Sequence, residues 1–444
     1  MKNRYIITLA MSLFFSCDIL EPEPQQSLDA ATALSDAQSA NLILAGTYSL
    51  LQDTDYYGLE YPLNSDLLAD NAVFEGFFDS QLELDQKAVP ITNLFITNIW
   101  PDIYVVVNTA NLLIANVPDI DDPGLDNDAV LGEAHAIRAL AYFDLLRYFG
   151  EHYDTASTFG IPLLLEPIPN NDFNQVPDLP RSTVAETYDQ IISDLNIAIP
   201  LLEGNSDVET MNYWAALSLR ARVNLYRGAH QQAFDDADAV ISSGPFILEP
   251  NLDDVFFTTD PSDESIFEVV FNEQDQSSFN TYLYRRDEYN VDADLLASFE
   301  DGDLRANYFT ELRGRDRSMK YDDNTNANNF KVFRLAELYL IRAEAAVFAT
   351  NDPDAGTADI NAVRERAGLP PIASIASIPV FLDALLYERR AELNFEGHRF
   401  FDLVRLDRAE TVLNLEGFRQ ILPLPRTELQ VSEALTQNPG YATD

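Results

Sequence analysis

One cysteine, four histidines and two tryptophans in 444 residues leave little material for several common chemistries. With Cys17 as the only thiol, no disulfide can form within the chain, and stability outside the cell must come from packing. His135, His152, His230 and His398 are scattered, with no HExxH and no i,i+4 ligand pair. A GxSxG elbow is missing and so is a glycine-rich phosphate cradle, the usual signatures of serine hydrolases and nucleotide-binding loops. Positive charge is scarce: 28 Lys and Arg stand against 73 Asp and Glu, a formal charge of −45. The molecule as a whole repels nucleic acid and anionic membrane surfaces. Only Lys2, Lys87, Lys320 and Lys331 are lysines, so nearly every cation is a planar guanidinium suited to fixed carboxylate pairing. With so many acids, no glycosidase-type carboxylate pair can be singled out, because sequence spacing says nothing about separation in space.

Long apolar runs are missing as well, apart from Tyr5 to Phe15. That run follows Lys2 and Arg4, is too short to span a bilayer, and reads as the apolar core of an export signal covering residues 1–16. Cys17 directly after Ser16 resembles the lipidation point of a bacterial lipoprotein, with Phe14 standing where leucine is usual. The acidic, proline-containing stretch that follows, to residue 34, suits a tether between lipid and fold.

From Ser35 onward helical periodicity dominates. Helices are predicted over Ser35–Leu51, Asn93–Asn116, Leu131–Gly150, Thr183–Leu202, Met211–Tyr226, Gln231–Ser243, Val332–Ala349, Gly356–Ala367, Ile378–Phe395 and Arg399–Arg408. Phe246–Phe257 and Glu264–Phe271 read as strands or extended segments. Trp100 and Trp214 fall on periodic faces and are expected in the core. The pair around RGAH, with its small residues, resembles tetratricopeptide helix pairs. Two stretches, 53–88 and 272–329, lack a sustained period and are rich in tyrosine and phenylalanine, as irregular inserts would be. The expected fold is mainly α, helical pairs carrying two irregular inserts and a few short strands, in one domain over 35–444.

Two charged stretches invite a chemical reading. The loop 118–128 places Asp119, Asp121 and Gly124 at EF-hand-like offsets, but Pro123 replaces a ligand and Val130 stands where the closing glutamate belongs, so no metal is expected. In YERRAELNFEGHRFFDLVR, residues 387–405, Glu388, Glu392 and Glu396 form one helical column. Such a column needs cations, and Arg389, Arg390, Arg399 and Arg405 are the nearest in sequence, which predicts an arginine–carboxylate lattice clipping two helices together. Gly397 is the expected left-handed break between them.

RLAELYLIRAEA at 334–345, LLYERRAELNFEGHRFFDLVRL at 385–406 and LPLPRTELQVSEALTQNPGY at 422–441 closely resemble the C-terminal motifs of the SusD/RagB family. The resemblance continues, in order, through IWPDIYVVVNTANLLI (99–114), GEAHAIRALAYFDLLRYFG (132–150), RSTVAETYDQIISDLNIAI (181–199) and the 211–241 pair. It implies a SusD-like helical fold and a non-catalytic, surface-exposed outer-membrane lipoprotein, lipidated at Cys17 and without cofactor. Its implied role is to capture a nutrient, an oligosaccharide before other classes, as the lid of a SusC-like TonB-dependent transporter. A helical-repeat scaffold that binds only the transporter is the alternative. The family's ligand contacts lie in variable loops, so none carries over by motif. Sugars need flat apolar faces for their C–H surfaces and polar groups for their hydroxyls. On that chemistry the candidate contacts are Tyr56, Tyr57, Asp70, Asn71, Phe77 and Phe78 in the first insert, and Tyr282, Tyr284, Arg285 and Tyr289 in the second. The plainer alternative is that these aromatics plug the inserts onto the helices.

Overall fold

The computed structural model describes residues 34–168, 177–258 and 261–443. The export signal, Cys17 and all but the last residue of the expected tether lie outside the described residues. The first helix, α1 (Ala37–Leu51), starts in a capping box: Asp36 accepts from the Ser39 amide and Ser39 Oγ from the Asp36 amide. The first insert is more regular than its sequence predicts, containing α2 (Glu60–Leu68), β1 (Ala72–Phe74) and α3 (Asp79–Asp85). Tyr61 to Leu68 are all buried, so α2 has no polar stripe from which a period could be read.

The helical stack follows. α4 (Leu94–Asn116), α5 (Asn127–Phe149), α6 (Val184–Leu201), α7 (Tyr213–Tyr226) and α8 (His230–Ser243) pack each against the next. Asn93, Asp126, Thr183 and Asn212 cap the first four, with Glu186 completing a capping box at Thr183. α5 is the centre: every residue from Gly132 to Phe149 is buried, including the polar His135, Arg138, Asp144 and Arg147.

The predicted strand at 246–257 is instead irregular and ends in a short helix, α9 (Asp253–Phe256), so only β2 (Ser265–Val269) forms in that region. The second insert carries a π-helical turn at Thr281–Arg285, then β3 (Tyr289–Val291), α10 (Ala293–Ser298), and the hairpin β4 (Phe309–Leu312) and β5 (Arg315–Ser318). β6 (Phe330–Arg334) takes the first residues of the helix predicted from Val332, and α11 (Leu335–Thr350) begins after it. Strands pair antiparallel as β1–β3, β2–β6 and β4–β5. The β1–β3 pair, with Phe74 opposite Tyr289, ties the two inserts together.

α12 (Thr357–Arg366), α13 (Ile378–Leu393), α14 (Arg399–Arg405), α15 (Ala409–Leu413) and α16 (Arg426–Val431) complete the chain; α16 falls in the Pro-punctuated tail 420–441, whose sequence reads as extended. The carboxylate column on α13 is buried, and its cations are not the ones nearest in sequence. Glu388 pairs with Arg305 and Arg364, Glu392 with Arg334 and Arg366, and Glu396 with Arg334 and Lys320. The local arginines turn elsewhere: Arg389 to Asp402, Arg405 to Asp402 and Glu344, Arg390 and Arg399 to Asp70. Arg389–Asp402 does clip α13 to α14, and Gly397 adopts φ +82° against Pro62.

Candidate functional site

Of the ten contacts proposed from sequence, four are buried, and each is held by a partner inside the protein. Tyr56 and Tyr57 stack at 4.5 Å and both donate to Asp144 Oδ2, at 2.6 and 2.7 Å, while Tyr61 donates to Asp144 Oδ1 at 2.8 Å. Arg147 Nη2 closes the cluster on Asp144 Oδ1 at 2.6 Å. In this structure the two tyrosines have no path to a ligand; they plug the first insert onto α5. Tyr289 is likewise fully buried, donating to Asn64 Oδ1 at 3.0 Å. Asn71 donates to Asp66 and accepts from Arg390 Nε.

Asp70 is half-buried and receives Arg399 at 2.8 and 3.0 Å and Arg390 at 3.2 Å. Burial alone would raise its carboxyl; the Arg399 hydrogen bond and charge outweigh that and hold it below the usual range. It belongs to the ion-pair framework. Tyr284 is partly buried and donates to the Ser318 carbonyl, fastening the π-helical turn to β5.

Phe77, Phe78, Tyr282 and Arg285 remain, and they gather on one surface. Phe77 is 95% exposed, the most exposed large apolar side chain among the described residues, and Phe78 is 41% exposed. Arg286, a residue not singled out from sequence, lies between Phe78 and Tyr282, with its guanidinium carbon 4.9 and 4.7 Å from the two ring centres. Its Nε and Nη2 donate to Glu288 Oε1 at 3.0 and 2.8 Å; that hydrogen bond raises its pKa, so it stays charged. Tyr282, itself partly buried, packs edge-on against Tyr289 at 6.3 Å, and Tyr289 against Phe74 at 5.2 Å, so the Tyr282 ring stands on the buried β1–β3 pair. Gly76 makes the turn that presents Phe77 possible, since a Cβ there would fall on the Phe74 ring and within 2.9 Å of Glu288 Cγ. The result is a ridge of exposed aromatic faces and guanidinium donors on a rigid base. The residue before Arg285–Arg286 is aromatic, and an arginine among aromatics is the signal that could have found Arg286.

Two other features carry no residue chosen from sequence for binding. An apolar cleft of about 400 Å³ is lined by Trp100, Tyr104, Leu164, Leu179, Glu428 and Leu435. Trp100, expected in the core, is almost fully buried along its wall, while Trp214 is partly buried against the main core. Carboxylate oxygens of Asp53, Asp55 and Asp102 lie within 4.8 Å of one another. Burial and then the Asp53 and Asp55 charges push Asp102 up to about 6. His152 is fully buried among Tyr153, Tyr226 and Phe401, and desolvation pushes it down to about 3, so it stays neutral.

Comparison with known proteins places this geometry in a family. Residues 301–421 match the model of the SusD family, and residues 18–225 match a model described as starch-binding associating with outer membrane. A SusD-like protein of Formosa agariphila is 25% identical, the match covering 98% of each chain. A crystallised SusD superfamily protein of Bacteroides vulgatus is 26% identical, with a TM-score of 0.79 over 92% of this chain and 100% of that one. A laminarin-binding SusD-like protein, 24% identical, superposes with a TM-score of 0.79 over 92% of this chain and 100% of its own, a likeness of fold. With the family models covering both ends of a helical stack that matches SusD-like proteins over nearly its whole length, the chain belongs to the SusD/RagB family.

Proposed function

We propose that this protein is a non-catalytic, surface-tethered binding protein that captures an oligosaccharide on the Phe77–Phe78–Tyr282–Arg285 surface and passes it to a SusC-like TonB-dependent outer-membrane transporter. The observation that carries the reading is Phe77: a phenyl ring 95% exposed, next in the chain to Phe78, whose own ring meets Arg286 beside the β1–β3 pair. Left in water, such a ring costs free energy that stacking on the apolar face of a pyranose recovers. Membership of the family, one of whose models is described as starch-binding and outer-membrane-associating, and the laminarin binding of a structural neighbour support a saccharide as the ligand class. Lipidation at Cys17 would supply the anchor, and among the described residues no helix is long and apolar enough to cross a membrane.

The scaffold alternative predicts that the protein binds its transporter and no saccharide. Titration of the purified full chain, in detergent, against neutral and acidic oligosaccharides, with Phe77→Ala and Tyr282→Ala beside it, separates the two. Saccharide binding that weakens in both variants, with co-purification of the outer-membrane partner intact, supports capture. Absence of saccharide binding with the partner retained supports the scaffold.

A further inference from the structure

Exposed positive charge is confined. Among the described residues the exposed arginines are Arg285, Arg286, Arg313 and Arg426, and the first three come from one region, the π-helical turn and the β4–β5 hairpin. The other arginines are buried or half-buried, many of them in carboxylate pairs such as those of Arg222, Arg305, Arg334 and Arg389. The region is one surface with the exposed aromatics. Arg315 on β5 reaches Glu75 in the Phe77 turn at 2.6 Å, and both Arg315 and Arg317 meet Asp287. Arg286, Arg315 and the buried Arg317 thus share three partnering carboxylates, Glu75, Asp287 and Glu288, while Arg285 and Arg313 pair with none of them. Asp79, Glu311 and Asp316 are further acids of these segments, and Asp55, Glu60 and Asp322 also act on Tyr282 and Tyr284, so the surface gathers most of the exposed arginine among the described residues without being neutral.

Its exposed arginines carry free donors, beside the exposed carboxylates of Glu75, Asp79 and Glu311. Arg313 stands at the hairpin tip, at φ +57° before Gly314, with no carboxylate partner among the described residues. Arg285 gives one hydrogen bond, to the Asn324 carbonyl, and Arg286 spends its Nε and Nη2 on Glu288. Glu288 is buried; its Oε1 accepts from Arg286 and its Oε2 has no hydrogen-bond partner. A carboxylate or sulfate ester matches the guanidinium fork and is met by donors alone.

Resting on the capture reading above, we propose that the saccharide is anionic, carrying carboxylate or sulfate groups. Arg285, Arg286 and Arg313 take the acid groups, and Phe77, Phe78 and Tyr282 stack on the rings. The exposed guanidiniums give an anion direct partners on a molecule whose net charge otherwise repels it.

The test is titration of the full chain with length-matched neutral glucan, oligogalacturonate and sulfated oligosaccharide, at about 0.05 M and about 1 M salt, where screening changes severalfold. One acidic series should bind at least about tenfold tighter than the neutral one and weaken in high salt, the worth of one charge-assisted hydrogen bond. Which series it is distinguishes carboxylate from sulfate. The Arg285→Gln/Arg313→Gln double variant gives up no ion pair, so its melting temperature should hold while its acidic-ligand affinity falls about tenfold. Neutral glucan bound as well as either acid, with no salt dependence and a silent double variant, overturns the charge inference and leaves capture standing. Binding of no saccharide overturns both.

Discussion

Asp144 shows what a single buried side chain does to the assignment of function. Three tyrosyl hydroxyls and the Arg147 guanidinium converge on its two oxygens, and Arg147 in turn lies over the rings of Phe143 and Phe401 at 4.9 and 4.6 Å. Asp144→Ala would strand a buried guanidinium and three hydroxyls, so a loss of about 3–5 kcal/mol is expected, read from the urea midpoint. Phe77 is the opposite case. Nothing in the fold depends on it, so Phe77→Ala should leave the midpoint unchanged while reducing saccharide affinity about tenfold, as removal of a stacked ring does. A variant that unfolds more readily than the parent would return Phe77 to a structural role. The contrast explains why aromatic richness alone chose poorly among the candidates. Tyr56 and Phe77 look alike in a sequence, and only the presence of Asp144 at a distance of 88 residues separates them.

At the scale of elements, the α13 column is where the inserts are held to the helices. Arg334, at the end of β6, contacts Glu264, Glu392 and Glu396 at once, joining β6, the approach to β2 and the end of α13. Burial opposes its charge, yet the three glutamates keep its pKa raised. Arg334→Met should therefore destabilise by about 3–5 kcal/mol, because three buried carboxylates lose their shared cation, and adding Glu396→Leu should restore part of that. A double variant no better than the single one would mean the pairs act independently. The same column marks how much of the fold could be read in advance. The amphipathic helices were legible because their periodicity is a local property. α2 was not, being buried on all sides, nor were the cations of Glu388 and Glu392, which arrive from residues 24 to 83 positions away. Of the site, Phe77, Phe78, Tyr282 and Arg285 were legible as exposed chemistry in an insert; the stacking of Arg286 between two rings depends on the β1–β3 register, which no local pattern contains.

For the whole molecule, the excess of acid is divided between two kinds of carboxyl with opposite pH behaviour. Burial, with Asp55 nearby, raises Glu60 from 4.5 to about 8; burial raises Asp66 from 3.8 to about 7 and Glu133 from 4.5 to about 7. Asp66 Oδ2 has no hydrogen-bond partner, as suits a neutral carboxyl. These groups hold more protons in the folded chain than in the unfolded one over the interval between the two values. Their contribution is complete below the ordinary values, 3.8 for Asp66 and 4.5 for the two glutamates, and is lost as pH climbs through 7 to 8. Glu392, Glu396 and Asp402 behave the other way: burial would raise them, but Arg366, Arg334 and Arg389 respectively lead the charges that lower them. Their contribution is present above the usual carboxylate range and vanishes as pH falls through it. Stability should therefore peak just above 4.5, the ordinary glutamate value, and decline toward pH 8. Self-repulsion at a net charge of −45 adds to the decline, and about 0.5 M salt should recover that share by screening, leaving the desolvation share in place. Glu60→Gln separates the two. In urea midpoints taken from pH 5 to 8 at high salt, the variant should fall less steeply than the parent, and equal slopes would remove Glu60 from the account.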